Sequence, residues 1–143
     1  MAGKAVFANL PVLETERLML RKMRPEDAEA MFAYASDPEV TRYVLWDTHG
    51  SIEDTRSFLN FAVEGYGQGD FGGWGMVLKE TGAFVGACGL DAGYSPEHAR
   101  AEAGYVLSRE YWGRGLMPEA VRAVVRFGFE ELHLNRIEAR CIA

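Results

Sequence analysis

An alternating apolar run, "AEAGYVLS" (residues 101–108), passes through "REYWGRGLM" into an amphipathic stretch, "PEAVRAVVRFGFEEL" (118–132). A strand that feeds a helix through a glycine turn commits a chain to layered α/β packing, because the helix must return its apolar stripe onto a sheet. Gly113 and Gly115 flank Arg114, and Pro118 stands where a first helical turn begins. Proline suits that place, since its φ is preset and it has no N–H to lose. Glycines just ahead of a helix either turn a tight corner or let a ligand come close to the backbone. A helix N-terminus offers unpaired N–H groups and about half a positive charge, and successive amides in such a loop form a nest for phosphate. Arg114 adds a cation, while Pro118 restricts any nest to the residues before it. Spacing alone leaves corner and anion site equally open.

The remaining periodicities extend this pattern. Leu18 and Leu20 alternate with Arg17 and Arg21, predicting a first strand. Pro25, Glu26 and Asp27 open a helix whose apolar stripe is Ala28, Met31, Phe32 and Ala35, and "SDPEV" ends it. Ser51 and Asp54 have capping-box spacing ahead of a second helix, with Thr55, Phe58, Leu59 and Ala62 facing inward. In "GYGQGDFGGWG", Gly67, Gly69 and Gly72 match the dinucleotide spacing G-x-G-x-x-G. That motif must follow a strand and open a helix, and here the order is reversed, so the stretch reads as a flexible loop. "WGMVLK" and "AFVGACGL" read as strands joined by the turn "ETG", and "DAGYSPEHA" as a loop. In the last helix Val121, Val125, Phe129 and Leu132 line one side, and "NRIEARCIA" alternates Ile137, Ala139 and Cys141 with Glu138 and Arg140. The order is β-α-α-β-β-β-α-β, a mixed α/β single domain over residues 1–143.

Composition narrows the partners. With 143 residues, 48% of them hydrophobic and 25% charged, the chain has the makeup of an ordinary globular domain. No apolar run approaches the roughly eighteen residues of a membrane span, and "MAGKAVFANLPVLE" has no secretory apolar core, so a cytoplasmic protein is expected. A net charge of −6 argues against nucleic acid and leans toward a cationic substrate. Cys88 and Cys141 sit in apolar runs and read as reduced, packed thiols. His98 and His133 have no zinc or triad spacing, and no metal is expected.

The stretch "YVLSREYWGRGLMPEAVRAVVRFGFEELHLNRIEARC" resembles the acetyl-CoA-binding core of the GNAT superfamily of N-acetyltransferases, and within it the RimJ/RimL-type branch. "LETERLMLRKMRPEDAEAMF" resembles that branch's opening strand and helix, and "TGAFVGACGL" with "AEAGYVLS" its middle strands, so the resemblance runs from about Leu13 to the last residue. It implies the acyl-CoA N-acyltransferase fold, a layered α/β architecture. It also implies acetyl-CoA as co-substrate, and transfer to a primary amine by direct attack in a ternary complex, the amine being a protein N-terminus or a small molecule. The family's pyrophosphate signature is Gln or Arg, two residues, Gly, one residue, then Gly or Ala. Trp112, Gly115 and Met117 occupy those positions, and two of the three depart from it. The resemblance further implies that backbone groups of Leu107 and Ser108 pair with the pantetheine arm as an added strand does. Trp112, Gly113, Arg114, Gly115, Leu116 and Met117 would then hold the pyrophosphate.

Acetyl transfer needs a neutral amine, a polarised thioester carbonyl and a protonated leaving thiol. Glu102 is a carboxylate inside the apolar "AEAGYVL", where burial would raise its pKa, although its place in the strand equally suits a solvent-facing residue. The resemblance favours the general base, and puts an oxyanion-donating N–H near Leu107. By position it gives the acceptor contacts to Tyr43, Trp46 and His49 in "TRYVLWDTHGS". It places the general acid beyond Ala143, so the chain is expected to lack the family's C-terminal elements. An open strand edge there would favour a homo-oligomer and poor turnover. The alternative from another class is a non-catalytic acyl-CoA-binding or assembly module.

Overall fold

The computed structural model describes residues 9–42, 44, 46–69, 71–95, 100–131 and 136–139, with the backbone alone for 91–95, 100–103 and 136–139. A short β1 (Leu13–Glu14) pairs with β2 (Leu18–Arg21), where Leu18 and Leu20 are fully buried and Met19 and Arg21 half-buried, as a two-residue period requires. Pro25–Asp27 forms a 3-10 turn in which Asp27 Oδ2 accepts the Arg24 N–H at 2.9 Å, and α1 (Ala28–Ala35) follows. The inward stripe of α1 takes Tyr34 where Phe32 was expected, leaving Phe32 half-buried.

The short helix α2 (Pro38–Thr41) is capped by Asp37, whose Oδ1 accepts the Glu39 N–H at 3.0 Å. Helix α3 (Ile52–Gln68) buries Thr55, Leu59 and Ala62, with Phe58 half-buried. The predicted box at its start does not form. Ser51 gives no side-chain cap, and Asp54 Oδ2 instead accepts the Gly50 N–H at 2.9 Å. Nor is "GYGQG" a flexible loop: α3 runs through it and stops at Gly69, whose φ of 73° is a left-handed C-cap.

Next come β3 (Gly73–Leu78), β4 (Phe84–Ser95), β5 (Arg100–Leu107), a 3-10 turn at Arg109–Tyr111, α4 (Leu116–Glu131) and β6 (Arg136–Ala139). Strand β4 extends through "DAGYS", which was read as loop, and its register on β5 shifts between Gly89 and Ala92 and between Ala92 and Ser95. His98, Leu132, His133 and Cys141 lie outside the described residues.

The six strands lie side by side in chain order, β1 to β5 antiparallel and β6 parallel to β5, with α4 as the crossover between them. The element order agrees with the sequence reading except for two short additions, β1 and α2, and helices cover both faces. Trp74 of β3 meets Phe127 of α4 edge-on, with ring centroids 5.1 Å apart, while Phe84, which pairs with Val77 on the other face, stacks on Tyr34 of α1 at 6.4 Å. The buried stripe of α4 is Leu116, Ala120, Val124, Phe127 and Gly128. Val121 and Val125, expected to face inward, are half-buried, and Phe129 is 44% exposed. Both stripes have helical spacing, and the one that meets Trp74 prevails.

Candidate active site

Among the described residues, the end of β5 has one free edge. Ser108 donates its N–H to the Val85 carbonyl at 2.8 Å. Backbone groups alternate along an antiparallel ladder, so Val106 also faces β4 while Tyr105 and Leu107 turn their N–H and C=O groups the other way. Strand β6 pairs with β5 from Arg100 to Ala103 among the described residues. Among the described residues, therefore, no strand covers Tyr105 and Leu107 on that side. Ser108, singled out from the sequence, has its N–H in the sheet. Tyr105, two residues before Leu107 on the same edge, was not singled out, although the period of two would have found it.

Beyond this edge the chain turns through the glycine loop. Gly113 and Gly115 have φ of 78° and 76°, a left-handed conformation that costs another residue about 1–2 kcal/mol. Helix α4 begins at Leu116, two residues earlier than expected, and its first bond runs from the Glu119 N–H to the Gly115 carbonyl at 3.3 Å. Pro118 thus occupies a position whose N–H would have no partner inside the helix. Among the described residues, the N–H groups of Gly113, Arg114, Gly115, Leu116 and Met117 find no acceptor. Trp112 spends its indole N–H on the Leu107 carbonyl at 2.8 Å. The exposed Arg114 holds its guanidinium 5.3 Å above the Tyr111 ring.

A clamp from the other end of the chain fixes the loop. Arg17 donates from Nη1 to the Arg114 carbonyl at 2.7 Å and from Nε to Glu119 Oε1 at 2.9 Å. Its backbone N–H reaches Glu119 Oε2 at 2.9 Å, and the Thr15 hydroxyl donates to the same oxygen. Burial alone would raise the Glu119 pKa, but the Thr15 hydroxyl and the Arg17 donors outweigh it and hold the carboxyl below its ordinary value. Sequence spacing offered no signal for these partners.

Edge, loop and helix start border one cavity of about 590 Å³. Tyr105, Leu107, Trp112, Gly113, Gly115, Leu116 and Met117 line one side of it, whereas Ser108 and Arg114 do not line it. Met31 and Tyr34 of α1, Val40 of α2, Phe58 of α3, and Trp46 and His49 also line it. The Trp46 and His49 rings lie 5.2 Å apart. His49 is fixed by its N–H to the Ala35 carbonyl at 2.9 Å and by a hydrogen bond between Nδ1 and the buried Thr55 Oγ1 at 2.7 Å. Burial lowers the His49 pKa, opposed in part by Asp54. Arg109 binds Asp37 at 3.0 Å, joining the chain after β5 to the cap of α2. Cys88 lines the cavity as a free buried thiol, its pKa pushed up to about 12 by burial.

Glu102 lies in β5 opposite Ala92 of β4 and beside Glu138 of β6. Its side chain, and the whole of Tyr43, lie outside the described residues. Among the described residues there is no group of three or more His, Cys, Asp or Glu able to hold a metal ion, and no helix long and apolar enough to cross a membrane.

Residues 17–143 match the acetyltransferase (GNAT) domain family. The chain is 39% identical over 131 residues to "Uncharacterized N-acetyltransferase p20" of Bacillus licheniformis, an alignment covering 92% of this chain and 73% of that protein. The solved acetyltransferase (GNAT family) from Bacillus anthracis is similar with a TM-score of 0.77 and 32% identity, over 90% of this chain and 72% of that one. RimL, a ribosomal L7/L12 alpha-N-protein acetyltransferase solved in complex with coenzyme A, shares the fold with a TM-score of 0.75 at 17% identity, over 92% of this chain and 75% of that one. The chain belongs to the GNAT family of acetyl-CoA-dependent N-acetyltransferases.

Proposed function

We propose that acetyl-CoA binds with its pyrophosphate on the loop from Trp112 to Met117 and its pantetheine arm along the open edge of β5. The acetyl group then passes to a primary amine by direct attack within a ternary complex. The observation that carries this reading is adjacency: among the described residues, the unpaired amides of Gly113, Gly115, Leu116 and Met117, a helix start and an uncovered strand edge border one cavity. Amides at a helix N-terminus favour an anion, and a strand edge offers an amide-bearing arm the hydrogen bonds of a neighbouring strand. Arg114 adds its cation beside the loop. The departure at Trp112 fits as well, since its indole holds the last carbonyl of β5 beside the cavity.

When bound, acetyl-CoA supplies an activated thioester, and the chain supplies position and proton traffic. The Leu107 N–H points to the open edge and donates to the acetyl oxygen as charge gathers there. The amine nitrogen bonds to the acetyl carbon as the C–S bond breaks. The nitrogen's proton passes to Glu102, and the departing thiolate takes its proton from the general acid that the resemblance places beyond Ala143. A thiol pushed up to about 12 is a poor nucleophile, so Cys88 supports direct attack rather than an acetyl-cysteine relay. Its free state accords with a reducing cytoplasm. Trp46 and His49 meet the acceptor from the other wall. A RimJ/RimL-type enzyme is consistent with the motifs and with the fold shared with RimL.

Thiol release from acetyl-CoA, followed with and without amines, tests the reading alongside calorimetry with CoA. Release should depend on the amine. Glu102→Gln should lower kcat by about a hundredfold while CoA affinity stays unchanged. Wild-type turnover in that variant from about pH 6 to 9 would exclude Glu102 as the base.

A further inference from the structure

We infer that the acceptor is a small primary amine with a single positive charge and an apolar, aromatic or branched aliphatic body. The inference rests on the acetyl-CoA reading and concerns the other half of the same cavity. The acceptor wall is built from Met31, Val40, Val44, Trp46 and Phe58, with Glu39 as the one carboxylate among the described lining residues. No lysine or arginine is among them.

Those two facts bound the ligand from both sides. Glu39 is exposed, so it can pair the incoming ammonium while that group is still partly hydrated, before the nitrogen gives a proton to solvent and reaches the thioester as the neutral amine. Once the reacting nitrogen is neutral, Glu39 is left to balance one ammonium, and the further charges of spermidine or an aminoglycoside would lose water against apolar surface with no counter-charge among the described lining residues. A carboxylate on the acceptor, as on a free amino acid, would find no cation in the described wall. His49 does not repel an incoming cation, because burial lowers its pKa and keeps the ring neutral near pH 7. Its ring and that of Trp46, 5.2 Å apart, form an aromatic platform for the apolar body. The chain's net charge of −6 favours the approach of a cation over that of an anion.

Thiol release with matched amines decides this. Phenethylamine and isoamylamine represent the proposed class. L-phenylalanine adds a carboxylate to the phenethylamine body, spermidine adds further cations, and a serine-starting tetrapeptide represents a protein N-terminus. We expect kcat/KM for phenethylamine about a hundredfold above that for L-phenylalanine or spermidine. Glu39→Gln should raise the phenethylamine KM about fivefold, with kcat and CoA affinity unchanged. Both Glu39 and Trp46 are exposed, so Glu39→Gln and Trp46→Ala keep the fold intact. Trp46→Ala should narrow the gap between phenethylamine and spermidine. Preference for spermidine, L-phenylalanine or the peptide overturns the inference, as does an unchanged KM in Glu39→Gln. CoA binding without acetylation of either apolar amine overturns it while leaving the acetyl-CoA reading in place. Failure to bind CoA overturns that reading and the inference together.

Discussion

Gly113 and Gly115 share a left-handed backbone, yet their surroundings differ. A Cβ on Gly113 would meet nothing within 4 Å, whereas one on Gly115 would lie 3.4 Å from Arg17 Nη2. Gly113→Ala should therefore express backbone strain alone, lowering stability by about 1–2 kcal/mol and weakening CoA modestly. Gly115→Val adds a branched side chain between the loop amides and the clamp. It should abolish CoA binding in calorimetry and leave the far-ultraviolet circular dichroism intact, and unchanged affinity would move the pyrophosphate elsewhere. At this scale the glycines were legible because left-handed backbone has a residue type of its own. Trp112 was not. Its part depends on where the Leu107 carbonyl points, which the strand's register decides and local spacing does not reveal.

Among the elements, the head of α4 is held by a carboxylate whose partners come from the β1–β2 turn. Arg17→Ala or Glu119→Gln should free that head, weakening CoA by about tenfold and lowering stability by about 1–2 kcal/mol, since Arg17 is partly solvated. The sign of the pH dependence follows from the depressed Glu119 pKa. The ionised carboxylate is favoured in the fold, so its contribution is complete above the unfolded value near 4.5 and is lost as pH falls through the lower folded value. Urea unfolding of wild type and Glu119→Gln should give curves separated by a constant amount from about pH 6 to 8, converging below about pH 4. A gap that persists in acid would assign the effect to packing. The sequence fell short here for a physical reason, because Arg17 and Glu119 are brought together only once the sheet and crossover have formed. The same holds for the face of α4. Val121, Val125 and Phe129 are as well spaced as Ala120, Val124 and Phe127, and only contact with Trp74 of β3 selects between them. At the end of α3, each glycine costs about 1 kcal/mol of helix propensity, yet burial of Leu59, Ala62 and Tyr66 carries the helix on to Gly69.

For the whole molecule, the order of the longer strands and helices followed from apolar periods, while the short β1 and α2 and the character of the cavity did not. Its walls come from segments far apart in the chain, and the Asp37–Arg109 and Arg17–Glu119 pairs link the chain after β5 to other elements around the cavity. CoA at about a hundred times its Kd should raise stability by about 2.7 kcal/mol, measured as an upward shift of Tm. The last described pairing of β6 with β5, at Ala103, has a further consequence, in the time domain. Among the described residues the sheet has no neighbour just where the substrate arm lies in the proposed complex, so binding supplies hydrogen bonds to alternate residues only. Amide hydrogen exchange should slow at Tyr105 and Leu107 when CoA is added and stay unaltered at Val106, whose N–H already faces β4. Even slowing across all three would mean that the arm does not lie along this edge. An every-second-residue footprint would show the protein completing its sheet with its own substrate, once per turnover.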